Sequence, residues 1–89
     1  MKNIKTYVGK LVLTGRLNSS VNGNPRFAGY IEVIERAGIH YYTRRVEFQT
    51  APDAMLAYGI ENFEGRPVIA EIGRYYGKPT IKTIEEVLK

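Results

Sequence analysis

TAPDAMLAYGIENFEG, residues 50–65, is where the periodicity of this chain changes. Thr50 stands where a helix cap belongs, Asp53 follows three residues on in the manner of a capping box, and Pro52 falls in the first turn, where a missing N–H costs nothing. Leu56, Ile60 and Phe63 recur at four- and three-residue spacing, so the stretch predicts a short helix with one buried face. Gly59 and Gly65 both offer a residue on which it can end. On either side the period is two. Upstream, KTYVGKLVLTGRL (5–17) sets Leu11, Leu13 and Leu17 on one face and Lys10, Val12, Thr14 and Arg16 on the other. Gly9 and Gly15 interrupt it where a strand in a small barrel bends or bulges. NSSVNGNPR (18–26) is a dense cluster of turn formers and reads as a long hairpin loop. FAGYIEVIE (27–35) alternates Phe27, Gly29, Ile31 and Val33 with Ala28, Tyr30 and Glu32. After the turn at RAG (36–38) comes a third strand, IHYYTRRVEFQT (39–50). With Val46 and Phe48 inward, Tyr41, Thr43, Arg45, Glu47 and Gln49 face out, while Tyr42 and Arg44 fall on the core side, Arg44 near a barrel rim. Downstream, RPVIAEIGRYY (66–76) points Val68, Ala70 and Ile72 inward. A Gly77–Lys78–Pro79 turn and a last strand, TIKTIEEVLK (80–89), follow.

The order β-β-β-α-β-β predicts an all-β domain with one short helix. It is the arrangement of the five-stranded OB-fold, a Greek-key barrel whose helix closes one end. An SH3-like barrel or an α+β roll is the competing reading. Residues 1–89 form one domain, with no repeat, linker or low-complexity tract to divide them.

Composition narrows the function classes. The chain has no cysteine, which removes disulfides, thiolate metal sites and thiol nucleophiles. His40 is its one histidine and Asp53 its one aspartate, and the glutamates are scattered through alternating strands, so neither catalysis nor metal binding is expected. GKPT (77–80) lacks the upstream glycine and the following helix of a phosphate-cradling loop. No cofactor is expected. No apolar run reaches membrane-spanning length and the first ten residues lack a signal-peptide core, which together predict a cytoplasmic protein. The net charge of +4 is uneven: residues 1–50 carry eight Lys and Arg against three Glu, whereas residues 51–89 are close to neutral. A basic half suits an acidic partner.

GKLVLTGRL (9–17) resembles the first strand of bacterial single-stranded DNA-binding proteins and their primosomal relatives. YYTRRVEFQTAPDAMLAYG (41–59) is similar to their third strand entering the helix. EGRPVIAEIGRYYGKPTIKTIEEV (64–87) looks like their fourth strand, protruding hairpin and fifth strand. The resemblance lies in strand spacing and apolar positions across most of the chain. It implies an OB-fold that binds single-stranded DNA. Two departures stand against a housekeeping role: there is no tryptophan, and Lys89 ends the sequence without the acidic tail of those proteins. They fit a short accessory factor of replication or recombination, of phage or plasmid origin.

Single-strand binding needs cations that track the backbone and flat rings on which bases stack. OB-folds use the face of strands two and three, with the first and last hairpin loops as walls. The candidates are Tyr30, Tyr41 and Arg45 on that face, Arg16 on strand one, Arg26 at the end of the first loop, and Arg74, Tyr75, Tyr76 and Lys78 in the last hairpin. The competing reading of each tyrosine is structural, a ring covering apolar surface with its hydroxyl in water. Tyr7 and Tyr58 are expected to be of that kind. Glu32 and Glu47 fall on the same face and repel phosphate unless arginines pair with them. The expected ligand is single-stranded DNA, with RNA as the neighbouring alternative, and a homodimer would lengthen the short track of one barrel. The second function class is a protein–protein module, an assembly or inhibitory protein of a mobile element, using the same aromatic and basic face.

Overall fold

Alternating apolar residues build five strands: β1 Lys5–Leu17, β2 Arg26–Ala37, β3 His40–Gln49, β4 Pro67–Tyr75 and β5 Lys78–Glu86. The structure, a computed structural model, describes residues 4–17, 26–51 and 59–87. The strands close into a barrel in the order β1-β2-β3-β5-β4. Every pairing is antiparallel except β3 with β5, which meet in parallel at Gln49 and Thr80. This is the OB-fold barrel that the order of elements predicts. Among the described residues, no helix is long and apolar enough to cross a membrane.

β1 is long because it serves two neighbours. Lys5–Lys10 pairs with β4 and Lys10–Leu17 with β2. Gly9 sits at the exchange, so close to β2 that a Cβ there would overlap the Glu32 carbonyl. Between Leu13 and Gly15 the register slips by one residue. The bulge expected at Gly15 is therefore present, and it corrects two sequence expectations. Arg16 lies opposite the inward-facing Phe27, and Leu17 opposite Arg26. One extra residue in a strand exchanges the faces of all that follow.

The core is Leu11, Phe27, Ile31, Phe48, Ile60, Val68, Ala70, Ile72 and Ile81, with Tyr7, Leu13, Val33, Val46, Phe63 and Ile84 packed against it. These include Phe27, Ile31 and Val33 of β2, Val46 and Phe48 of β3 and Val68, Ala70 and Ile72 of β4, as read from alternation. Tyr42 and Arg44, expected on the core side, are exposed instead, because the part of β3 that bears them runs past the end of the core. Ile60 is fully buried in a 3₁₀ turn, Ile60–Phe63, which is what the described residues show of the expected helix. Pro52, Asp53, Leu56 and Tyr58 lie outside them. Gly65, not Gly59, takes the left-handed conformation (φ 77°), and its N–H donates to the Leu11 carbonyl at 2.8 Å. Thr50 is fully buried. Its oxygen, expected to cap the helix, accepts from the Phe27 N–H at 2.9 Å, while its own N–H donates to the Phe27 carbonyl at 2.9 Å. Thr50 thus ties the end of β3 to the start of β2.

Pairing of β1 with β2 stops at Lys10 and Glu32, whereas β2 and β3 stay paired to Ala37 and His40. The β2–β3 hairpin therefore projects beyond the barrel, and the molecule measures 48 × 30 × 21 Å. Ile34, Ile39, Tyr41 and Tyr42 are exposed on that projection.

Candidate nucleic-acid interface

The outer rows of β2 and β3 follow from their register. Tyr30 faces Glu47, Glu32 faces Arg45, Ile34 faces Thr43 and Arg36 faces Tyr41. Arg45 does not close an ion pair with Glu32; its guanidinium lies over the Tyr30 ring, 4.7 Å from the centroid. Arg36 covers Tyr41 in the same way at 5.9 Å. Both arginines are exposed and lie within cation–π range of a tyrosine ring beside the sheet. Arg26 begins the β2 row, opposite Leu17. Its Nε is buried without a hydrogen-bond partner among the described residues.

The β4–β5 hairpin turns on Tyr76 and Gly77, with Tyr75 facing Lys78. Both turn residues have positive φ, 51° and 78°, as a two-residue I′ turn demands. The expected Gly77–Lys78–Pro79 turn is thus displaced by one residue, because the right-handed twist of paired strands favours a mirror-image turn, and Lys78 and Pro79 belong to β5. Tyr76 is 88% exposed at the tip and Tyr75 36%. Their rings meet edge to face with centroids 4.6 Å apart. An Arg74 guanidinium N–H donates to the Gly77 carbonyl at 2.9 Å and braces the turn.

Lys78 and Pro79 share a cleft of about 250 Å³ with Ala28, Glu47, Phe48 and Gln49. The hairpin therefore stands as a wall beside the β2–β3 face, as an OB-fold groove requires. Arg26, Tyr30, Tyr41, Arg45 and Lys78 share this side. Arg16 does not: its guanidinium sits 5.9 Å from the Phe27 ring, on the core side of β1. Arg74 lines a different cleft of about 550 Å³, with Ile4, Lys5, Tyr7, Val46, Ile72, Gly73 and Pro79.

Beside that second cleft lies a cluster absent from the sequence-derived candidates. Arg44 lies over the Tyr7 ring at 5.9 Å and reaches Glu35 Oε2 through Nη2 at 2.9 Å and Nε at 3.0 Å. The Tyr42 hydroxyl donates to Glu35 Oε1 at 3.0 Å. Alternation places Tyr42 and Arg44 on the core side; the missing signal is the register that puts Glu35 opposite Tyr42. The hydrogen bond from Arg44, then that from Tyr42, holds the Glu35 carboxyl below its ordinary 4.5. The same carboxylate raises Tyr42 and Arg44 above their ordinary values, chiefly through those hydrogen bonds. A depressed carboxyl contributes stability above its unfolded pKa that is lost as pH falls through its folded one; the raised phenol contributes below its unfolded pKa and loses it as pH rises through its folded one. The cluster is therefore whole between these limits. A carbon-13 titration is expected to place the Glu35 midpoint below 4.5, and Arg44→Ala to bring it back up. A Glu35 midpoint indifferent to Arg44→Ala would contradict the geometry.

No protein-family model matches the chain, and no curated protein matches it. Among the described residues, no three His, Cys, Asp or Glu converge as a metal site. The arrangement offers stacking surfaces and positive charge.

Proposed function

We propose that this barrel binds single-stranded nucleic acid, DNA foremost, on the outer face of β2 and β3. The observation that carries the reading is the pair of arginine-on-tyrosine stacks, Arg45 on Tyr30 and Arg36 on Tyr41, beside a hairpin wall bearing Lys78. Bases stack on the exposed guanidinium planes or replace them on the rings, and phosphates run along the cations. Lys10, Arg26, Arg36, Arg45 and Lys78 outnumber Glu32 and Glu47 on this side. The face is therefore positive, although neither carboxylate closes an ion pair among the described residues. Tyr76 extends the stacking surface at the hairpin tip.

Labelled single-stranded DNA, single-stranded RNA and duplex titrated in parallel at low salt test this reading. Single strands are expected to bind, with affinity falling as salt rises. Tyr76→Gly removes a ring while keeping a residue suited to positive φ, so it is expected to weaken binding by roughly 5- to 150-fold, the ~1–3 kcal/mol of one stacked base, with the fold intact. Absence of binding to any strand at low salt sinks the proposal. One observation favours the protein–protein alternative: Ile34 and Ile39 are 70% and 83% exposed on the projecting hairpin.

A further inference from the structure

β3 has an unused edge. It pairs with β2 along its whole length and with β5 at Gln49 alone, so among the described residues His40 to Phe48 has no strand hydrogen-bonded to its other side. A free edge of this length invites another strand, and natural proteins usually guard it with charge. Here the edge reads Tyr41-Tyr42-Thr43-Arg44-Arg45, aromatic at one end, cationic at the other, with threonine at the centre.

We propose that two copies of this chain pair antiparallel along β3 about a two-fold axis at Thr43. In that register Tyr41 faces Arg45 of the partner subunit, and Tyr42 faces Arg44 of the partner subunit. The two-fold repeats both pairs, so four aromatic–cation contacts form at once. Other registers lose this match. An axis at Arg44 or Arg45 opposes an arginine to itself, and an axis at Tyr42 sets Arg44 against His40 and Arg45 against Ile39, so that neither arginine faces a tyrosine; like charges directly opposite destabilise a sheet. Glu35, 2.9 Å from Arg44, already neutralises the two arginines that come diagonally closest across the axis.

The side chains fit the same register. Arg45 lies over Tyr30 and Arg36 over Tyr41 within one copy. Pairing at Thr43 joins these stacks into one alternating row of tyrosine and arginine across both outer faces. The edge itself is complementary whether or not that row takes nucleic acid, so the proposal stands apart from the ligand reading.

Sedimentation velocity of the full chain, without nucleic acid, tests it over a micromolar to millimolar range. A concentration-dependent dimer is expected. Tyr41→Arg sets arginine against arginine at two places and is expected to weaken the dimer about tenfold; adding Arg45→Tyr restores the opposite pairing and the affinity. Circular dichroism confirms that each variant is folded. Because the chain has no cysteine, Thr43→Cys provides a unique thiol, and a short bismaleimide is expected to join two copies there far faster than through the exposed Thr83→Cys. A monomer throughout the range overturns the proposal. So does a dimer that ignores Tyr41→Arg, or one whose Thr43→Cys variant cross-links no faster than its Thr83→Cys variant.

Discussion

Replacing Phe48 by alanine is expected to cost about 3–5 kcal/mol, the range for deleting a buried aromatic ring. Phe48 is 4% exposed and lies opposite Gly29, where a Cβ would overlap the Val12 carbonyl of β1. Gly29 has no side chain to spread into the space, so a cavity remains. An 89-residue barrel has a total stability of order 5–15 kcal/mol, and its small size places it towards the low end. Phe48→Ala should therefore leave a large fraction of molecules unfolded at 37 °C, whereas Phe48→Leu, which keeps most of the volume, should remain folded. Urea unfolding followed by circular dichroism measures the difference. A cost below about 1 kcal/mol would mean that the ring is not in the core. Phe48 also lines the cleft between β3 and the β4–β5 hairpin, so the Leu variant reports whether that wall tolerates reshaping.

Gly9→Ala is expected to be nearly as damaging, at about 3 kcal/mol, the upper end of the usual cost of overpacking. The added methyl would meet the Glu32 carbonyl and come 3.0 Å from Ile31 Cγ2, at the point where β1 exchanges β4 for β2. Backbone cannot step aside there without breaking one of the two pairings. Gly15→Ala provides the control, because a Cβ at Gly15 meets nothing within 4 Å. Alanine there is expected to be neutral or to stabilise by up to about 1 kcal/mol. Thermal melts of the two variants distinguish crowding from a general cost of removing glycine from β1; equal losses would refute the close approach at Gly9.

Much of this fold is legible in the linear order of residues. The period-two runs locate all five strands, and the break at residues 50–65 separates the third from the fourth, which is enough for the barrel's element order. Inward positions such as Phe27, Ile31, Phe48, Val68 and Ile72 follow because successive side chains in a strand alternate whatever lies beside it. The stretch 50–65 is less legible. Its capping pattern is local, but Thr50 is used by Phe27, which is distant in sequence and adjacent in space.

The candidate site divides along the same line. That Tyr30, Tyr41 and Arg45 share the outer face comes from alternation alone, and the basic first half of the chain from composition. Which group each side chain touches does not. Arg45 has Glu32 directly opposite yet covers Tyr30; Arg44 finds Glu35 and Tyr7; Arg16 is carried to the core side by a one-residue bulge; Tyr76 is lifted out of β4 into a turn. Alternation is a property of one strand, so the sequence by itself determines it. Partners depend on register, bulges and barrel closure, which are settled by all five strands packing together, so only the tertiary structure decides them.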